Sequence, residues 1–542
     1  MLDIKIINGI IYDGSGGESY HADIGITGDR ISHMGDLSAL AARKVIDAAG
    51  HAVAPGFIDM HTHSDLSVVT DPLSTAPLYN GVTTVGVGNC GIGVAPISQK
   101  NRELAYAYIK SALLGFSAEN IQMPWETYDE YLQYLDSMPK GLNVFPLVAQ
   151  GTIRIHEMGF DVSEPTEEQM ERMKDEVRKA MDAGACGLTS GLIYLPGLYT
   201  KKEELAELCK VLKPYNAKYI THHRSESRDL YKALDEDFYI CETAGVGLHI
   251  SHLKVAYPAY WNDTKRLFDK IQEAIDRGID VTYDAYPYIF AHTSLTAVLP
   301  GWCSEGGGVK HMLELVRDEA QRGRIESGID AYFLSKGFGG VEEAAKNFYI
   351  AEADGESCQW MENKSIFEIA QSLEMHPSAA VCEIILATNA KAKMRLLSAC
   401  QEDNDEIISR PETIVISDSA STSNRYDADS STHPRTFGTQ SIILRRFVRE
   451  KKLLSLESAV RKMSAMPAEL MRLGKRGLLA CGYYADIIVF DADTVRDNAT
   501  YEEPRKFTSG MEYVIVNGRI EVENGIQNEN VLAGRLIKRH DA

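Results

Sequence analysis

Eight short apolar runs, each ending in polar residues and most followed by an amphipathic stretch, restrict this chain more than any other feature. The runs lie at 56–60, 83–87, 143–149, 185–190, 219–221, 248–251, 280–283 and 413–417. Helical periodicity appears between or after them, at 166–183, 202–215, 264–277 and 456–463. Strands that alternate with helices predict a parallel sheet with helices outside it. Eight such units predict an α/β chain folded as a (β/α)8, TIM-like barrel. The stretch at about 290–375 breaks the alternation and carries glycine-rich turns at 306–308 and 337–340. It is expected to be an insertion over the barrel mouth, where long connections act as lids or binding loops.

The chain ends have a different texture. Short β-like pieces at 2–7 and 10–12 flank Asn8-Gly9, and others follow at 22–27 and 30–33. The C-terminal end carries ADIIVFD at 485–491, MEYVIVN at 511–517 and a strand at 519–522 across a second Asn-Gly, Asn517-Gly518. Neither block is large enough to bury a core alone. Residues 1–54 together with 480–542 are therefore expected to form one small β-sandwich domain, leaving 55–479 to the barrel.

Charge narrows the function classes. The 542 residues hold 56 Lys+Arg against 77 Asp+Glu, a net charge of −21. Such an acidic chain argues against nucleic-acid binding, which needs basic patches, and it has no net attraction to anionic lipid. No apolar run reaches the roughly 18 residues of a membrane helix, and MLDIKIINGIIYDG does not read as a signal peptide. The nine cysteines have no CxxC spacing, which favours a reduced, cytoplasmic protein over a disulfide scaffold. Oligomeric state is not legible.

The chemistry concentrates at strand ends. In PGFIDMHTHSD an apolar strand runs into His61 and His63, two imidazoles with an i, i+2 spacing. Cys90 ends TTVGVGNC, His222 ends YITH, His252 ends LHISH and Asp418 ends TIVISD. In a (β/α)8 barrel the C-terminal strand ends form the functional face, so one rule gathers all six. Thiolate, imidazole and carboxylate together suit zinc, and their number suits a two-metal site with a bridging group. Strand parity turns His223 and His249 away, toward the barrel wall or the helix layer.

These residues resemble the amidohydrolase superfamily, and within it the D-aminoacylase (N-acyl-D-amino-acid deacylase) group, over nearly the full length. PGFIDMHTHSD is similar to the superfamily's first metal motif. GVTTVGVGNCGIGVAP resembles the group's variant, in which a cysteine replaces the carbamylated lysine of many relatives. YITHHRSE, ISHLK and HPRTFGT (433–439) belong to the same resemblance, as does the closing segment MPAELMRLGKRGLLACGYYADIIVFD with VIVNGRIEVENG. The resemblance implies that Cys90, His222 and His252 hold the tighter zinc. It also implies that His61 and His63 reach a second, weaker site with Cys90 as bridge, and that Asp418 is the general acid/base. The implied reaction hydrolyses the amide of an N-acyl-D-amino acid.

A small-molecule substrate with a carboxylate is the expected partner. Lys254, two residues after His252, shares its face and invites an anion. The resemblance implies that Lys254 and Tyr286 (in YDAYPY) bind the substrate carboxylate, and Tyr194 (in GLIYLPG) is a candidate wall of the same pocket. His292 stands where the group places a carboxylate-binding serine, with Ser294 two residues later as a substitute. The chain departs from the group at His223, at Leu253, around Asp418 and between 333 and 358. These changes leave the ligand set intact and fall on the pocket. Two alternatives stay open: a hydrolase of D-residue dipeptides or cyclic amides on the same fold, and a catalytically silent binding protein.

Overall fold

The computed structural model describes residues 1–113, 122–305, 308–422 and 433–539. Two residues of the 306–308 turn and the last three of the C-terminal segment lie outside them. The eight apolar runs are all strands: β1 (Phe57–Asp59), β2 (Val82–Val87), β3 (Asn143–Pro146, continued by Val148–Ala149), β4 (Gly187–Gly191), β5 (Lys218–His222), β6 (Leu248–Ile250), β7 (Val281–Ala285) and β8 (Thr413–Val415). Each pairs in parallel with the next in chain order. Beyond their ends the first and last meet through a parallel bridge, Thr62 to Ser419, where His63 N donates to Ser419 O at 2.8 Å and Asp418 N to His61 O at 3.0 Å.

Period two sorts the side chains. Tyr219, Leu248, Ile250, Tyr283 and Val415 pack outward with the helices, whereas Ile58, Phe145, Ile220 and Ile414 cluster on the inner face. Ile220, His249 and Thr282 are direct cross-strand neighbours, so His249 shares the inner face. The helices start where local signals place them. Thr166 and Gln169 form a capping box for Glu167–Ala183, which stops at Gly184, and Leu456–Met463 starts from the Ser455 cap.

The chain ends supply two sheets. One has Leu2–Ile7 between Asp23–Thr27 and Ala42–Asp47, with Arg30–Gly35 at its edge; the other joins Ala52–Pro55 to Ile487–Phe490, Met511–Val516 and Arg519–Glu523. Ile4, Ile24, Val53, Ile487 and Ile515 form a core between them. Asn517-Gly518 closes a hairpin, with both residues at positive φ. Asn8-Gly9 does not: Leu2–Ile7 and Ile10–Ile11 belong to different sheets. Val53 packs so close to the turn that only glycine fits there, since a Cβ on Gly9 would lie 2.4 Å from Val53 Cγ2.

Between β7 and β8 an antiparallel sheet of Phe290–Ser294, Lys393–Leu397 and Phe348–Glu352 packs with helices such as Glu319–Leu334 and Pro377–Ala387 around a separate apolar core. This block continues to Leu397, past residue 375, because its central strand comes last in sequence.

Candidate metal centre and active site

Cys90 sits at the middle of a cluster of strand-end side chains. The turn after β2 lifts it there with φ +52°, and Asn89 ties the turn to β1 by donating to the carbonyls of Met60 and Thr62, each at 3.2 Å. Three imidazole nitrogens surround Cys90 Sγ: His61 Nε2 at 3.2 Å, His252 Nε2 at 3.7 Å and His222 Nδ1 at 3.8 Å. Burial pushes the thiol up, but the His61 charge and the hydrogen bonds from the three rings outweigh it and hold Cys90 well below its ordinary value.

Two donor groups share that sulfur. His61, His63, Cys90 and Asp418 form one; Cys90, His222 and His252 form the other, and within each the donor atoms lie within 4.8 Å of one another. His222 Nε2 and His63 Nδ1 are buried without hydrogen-bond partners among the described residues, Glu226 Oε1 lying 4.0 Å from the first. Sulfur and imidazole donors converging at this spacing fit zinc.

Asp418 reaches the cluster from the loop after β8, itself at φ +52°. Its Oδ1 is 3.2 Å from His63 Nε2 and 3.6 Å from His61 Nε2, while Oδ2 accepts from Arg435 at 2.9 Å. Burial works against its charge, yet Arg435, the hydrogen bond from His63 and the nearby histidines hold it well below the usual carboxylate range. Asp418 is therefore ionised and able to accept a proton.

Lys254 does lie beside His252, but it is already paired. Its Nζ is 2.5 Å from Glu226 Oε1, which also faces His252 Nδ1 at 3.0 Å. The Tyr286 ring lies 5.5 Å from Lys254 and 5.1 Å from Arg435, and its hydroxyl is buried without a hydrogen-bond partner among the described residues. Tyr194 stacks edge-on against His222, with centroids 5.1 Å apart. His292 is buried, with no hydrogen-bond partner for Nε2 among the described residues and its ring 6.2 Å from that of His433; burial, then Arg435 and Lys393, push it well below the ordinary histidine value. Ser294 instead caps the short helix after it, bonding Thr296.

His223 leaves the cluster and faces Asp237 at 3.6 Å. His249 is a correction to the wall or helix-layer placement: it lies on the inner face of the strands and bonds Asp284 and Thr282, each at 2.9 Å. Its parity with His252 breaks down because β6 stops at Ile250 and His252 has φ +37°. Three residues escaped the sequence reading: Glu226, Arg435 and Asp284. The first two stand inside YITHHRSE and HPRTFGT, but neither lies at a strand end.

Comparisons with known proteins point to one family. The model of the Amidohydrolase family matches residues 44–325 and 417–522. An N-acyl-D-glutamate deacylase from Alcaligenes xylosoxydans xylosoxydans is 32% identical over 95% of this chain and 93% of its own length. A D-aminoacylase from the same organism is 31% identical over 99% of this chain and 98% of its own. The solved N-acyl-D-glutamate deacylase of Bordetella bronchiseptica, with zinc and a phosphonate mimic of the tetrahedral intermediate, superposes with a TM-score of 0.81 at 28% identity and covers 99% of both chains. Matched on both sides of its inserted block and aligned to these relatives from end to end, the chain belongs to the amidohydrolase family.

Proposed function

We propose that this protein is a zinc-dependent deacylase that hydrolyses N-acyl-D-amino acids to a carboxylate and a D-amino acid. The observation that carries the reading is one thiolate shared by two imidazole donor groups, with an ionised carboxylate and the ion-paired Lys254 and Arg435 at its side. In this reading β1 to β8 close as a (β/α)8 barrel over 55–479. Residues 1–54 with 480–542 make a β-sandwich, and the inserted block covers the mouth. Cys90, His222 and His252 hold the tighter zinc; His61 and His63, with Cys90, serve a second, weaker site.

Bound zinc would lower the pKa of a water and polarise the scissile carbonyl. Asp418 takes the proton of the attacking water and delivers it to the leaving nitrogen, since an unprotonated amide nitrogen leaves poorly. Lys254, Arg435 and the unpartnered Tyr286 hydroxyl hold the substrate carboxylate, as charge-assisted bonds do well in a buried site. Tyr194 and His292 shape the rest of the pocket. The relatives' own substrates, an N-acyl-D-glutamate and the D-aminoacylase class, support the D series.

The test is amine release by zinc-loaded protein from paired N-acetyl-D- and N-acetyl-L-amino acids with acidic, basic and apolar side chains. Turnover confined to the D series is expected. Silence in both series with zinc bound overturns the substrate assignment, and equal rates overturn the stereochemistry.

A further inference from the structure

We propose that Asp284 is a positioning residue that holds one histidine from each donor group in its ligating orientation. The inference rests on the metal part of the reading above and concerns groups beneath the metal cluster, inside the barrel.

Asp284 lies on β7, fully buried, with its side chain on the inner face. Oδ2 is 3.4 Å from His61 Nδ1 and 2.9 Å from His249 Nε2. Oδ1 accepts from the backbone N–H of His252. An ionised carboxylate only accepts, so both imidazole nitrogens that face it must be donors. With zinc bound, His61 would carry its one hydrogen on Nδ1 and turn the Nε2 lone pair upward. Nε2 is the atom that stands 3.2 Å from Cys90 Sγ and 3.6 Å from Asp418 Oδ1. One hydrogen bond thus sets both tautomer and ring angle for a metal ligand.

The other oxygen acts on the second group. His252 has a left-handed backbone, which strains a non-glycine residue. The bond from its N–H to Asp284 holds that turn, from which Nε2 faces Cys90 at 3.7 Å. Glu226 steadies the same ring at Nδ1.

His249 keeps Asp284 in place. Its Nδ1 faces Thr282 Oγ1 at 2.9 Å, and Thr282 in turn accepts from Lys218 Nζ at 3.2 Å at the far end of β5. A line of polar contacts therefore runs along the barrel interior from Lys218 to Cys90. Of its members, His249 and Thr282 stand directly opposite each other on β6 and β7. This accounts for a buried histidine that touches no ligand.

The variants separate positioning from general damage. Asp284→Asn keeps an oxygen for the His252 N–H but presents an NH2 to His61, which reverses the tautomer. Asp284→Leu removes both supports. His249→Gln keeps a donor near the Nε2 position, and His249→Met does not. Zinc affinity is read for each bound equivalent by chelator competition, and cobalt(II) uptake by its thiolate absorption, without substrate. Asp284→Asn is expected to weaken the second equivalent by about 10–100-fold and spare the first, as loss of a histidine's outer partner does. Asp284→Leu weakens both equivalents, and His249→Gln restores most of what His249→Met loses. If the protein binds a single equivalent, Asp284→Leu must weaken it at least tenfold more than Asp284→Asn. Equal affinities in Asp284→Asn, Asp284→Leu and the unaltered protein overturn the proposal, as does an identical loss in both His249 variants. Failure of the unaltered protein to take up either metal would instead overturn the metal reading, and this inference with it.

Discussion

Replacing Asp418 by asparagine removes a charge and keeps the shape, so its consequences divide cleanly. The first is catalytic. Asparagine cannot take a proton from water or return one to the leaving nitrogen, a service typically worth about 10²–10⁴-fold, or roughly 2.7–5.5 kcal/mol of barrier. The second is structural. Arg435 is 2% exposed and 2.9 Å from Oδ2, so the variant leaves a buried guanidinium without its counter-charge. Breaking such a pair costs about 3–5 kcal/mol, toward the low end here because the amide oxygen still accepts. Thermal unfolding measures the second effect. Zinc content and steady-state kinetics far below the unfolding temperature, on the best N-acetyl-D-amino acid, measure the first. The expected result is near-full zinc content, a lower melting temperature, kcat reduced at least 100-fold and KM changed only a few-fold. Asp418→Asn/Arg435→Gln should regain much of the stability and none of the rate. A zinc-loaded single variant that kept more than a tenth of kcat would refute the acid/base role. Recovery of rate in the double variant would assign the loss to Arg435's unbalanced charge.

Other outcomes follow from the same geometry. Lys254→Met should raise KM by about 10–100-fold with a smaller effect on kcat, as lost ground-state binding does; because it also strands Glu226, the melting temperature should fall. Stripping the protein with a chelator should abolish turnover and lower the melting temperature, with both recovering on added zinc, since a ligand of the folded state stabilises it by mass action. Glu521 supplies a pH prediction. Burial raises its carboxyl from 4.5 to about 8, only partly offset by the bond from the Ala533 N–H, and its other oxygen has no partner among the described residues. A folded-state value above the unfolded one gives stability that is complete below 4.5 and lost as pH rises through 8. Denaturant titrations should therefore show a decline of at most about 1.4 kcal/mol per pH unit across that window, and Glu521→Gln should flatten it. An unchanged slope would remove Glu521 as the source.

Much of the site was legible because a strand end is a local signal. The apolar runs that became β1, β2, β5, β6 and β8 lead directly into His61, Cys90, His222, His252 and Asp418. The parity rule turned His223 away from the cluster, and it faces Asp237 just past the end of β5. The rule failed for His249, because His249 lies in the strand whereas His252, from which the parity was counted, lies in a left-handed turn after it. Ser294 was misjudged for a similar reason: its hydroxyl closes the N-terminus of a short helix.

Residue types and their order along the chain determined the alternation of strand and helix, the donor chemistry and the family, since these depend on neighbours a few positions apart. The partners of those donors were decided by the tertiary structure alone. Asp284 stands 223 residues from His61, Arg435 reaches back 17 to Asp418, and Lys254 meets Glu226 across 28. Nothing local marks such pairs, because each forms only when the strands lie side by side and bring their ends together. A buried charge is tolerable once a partner is within hydrogen-bond reach, and only the folded sheet supplies that partner.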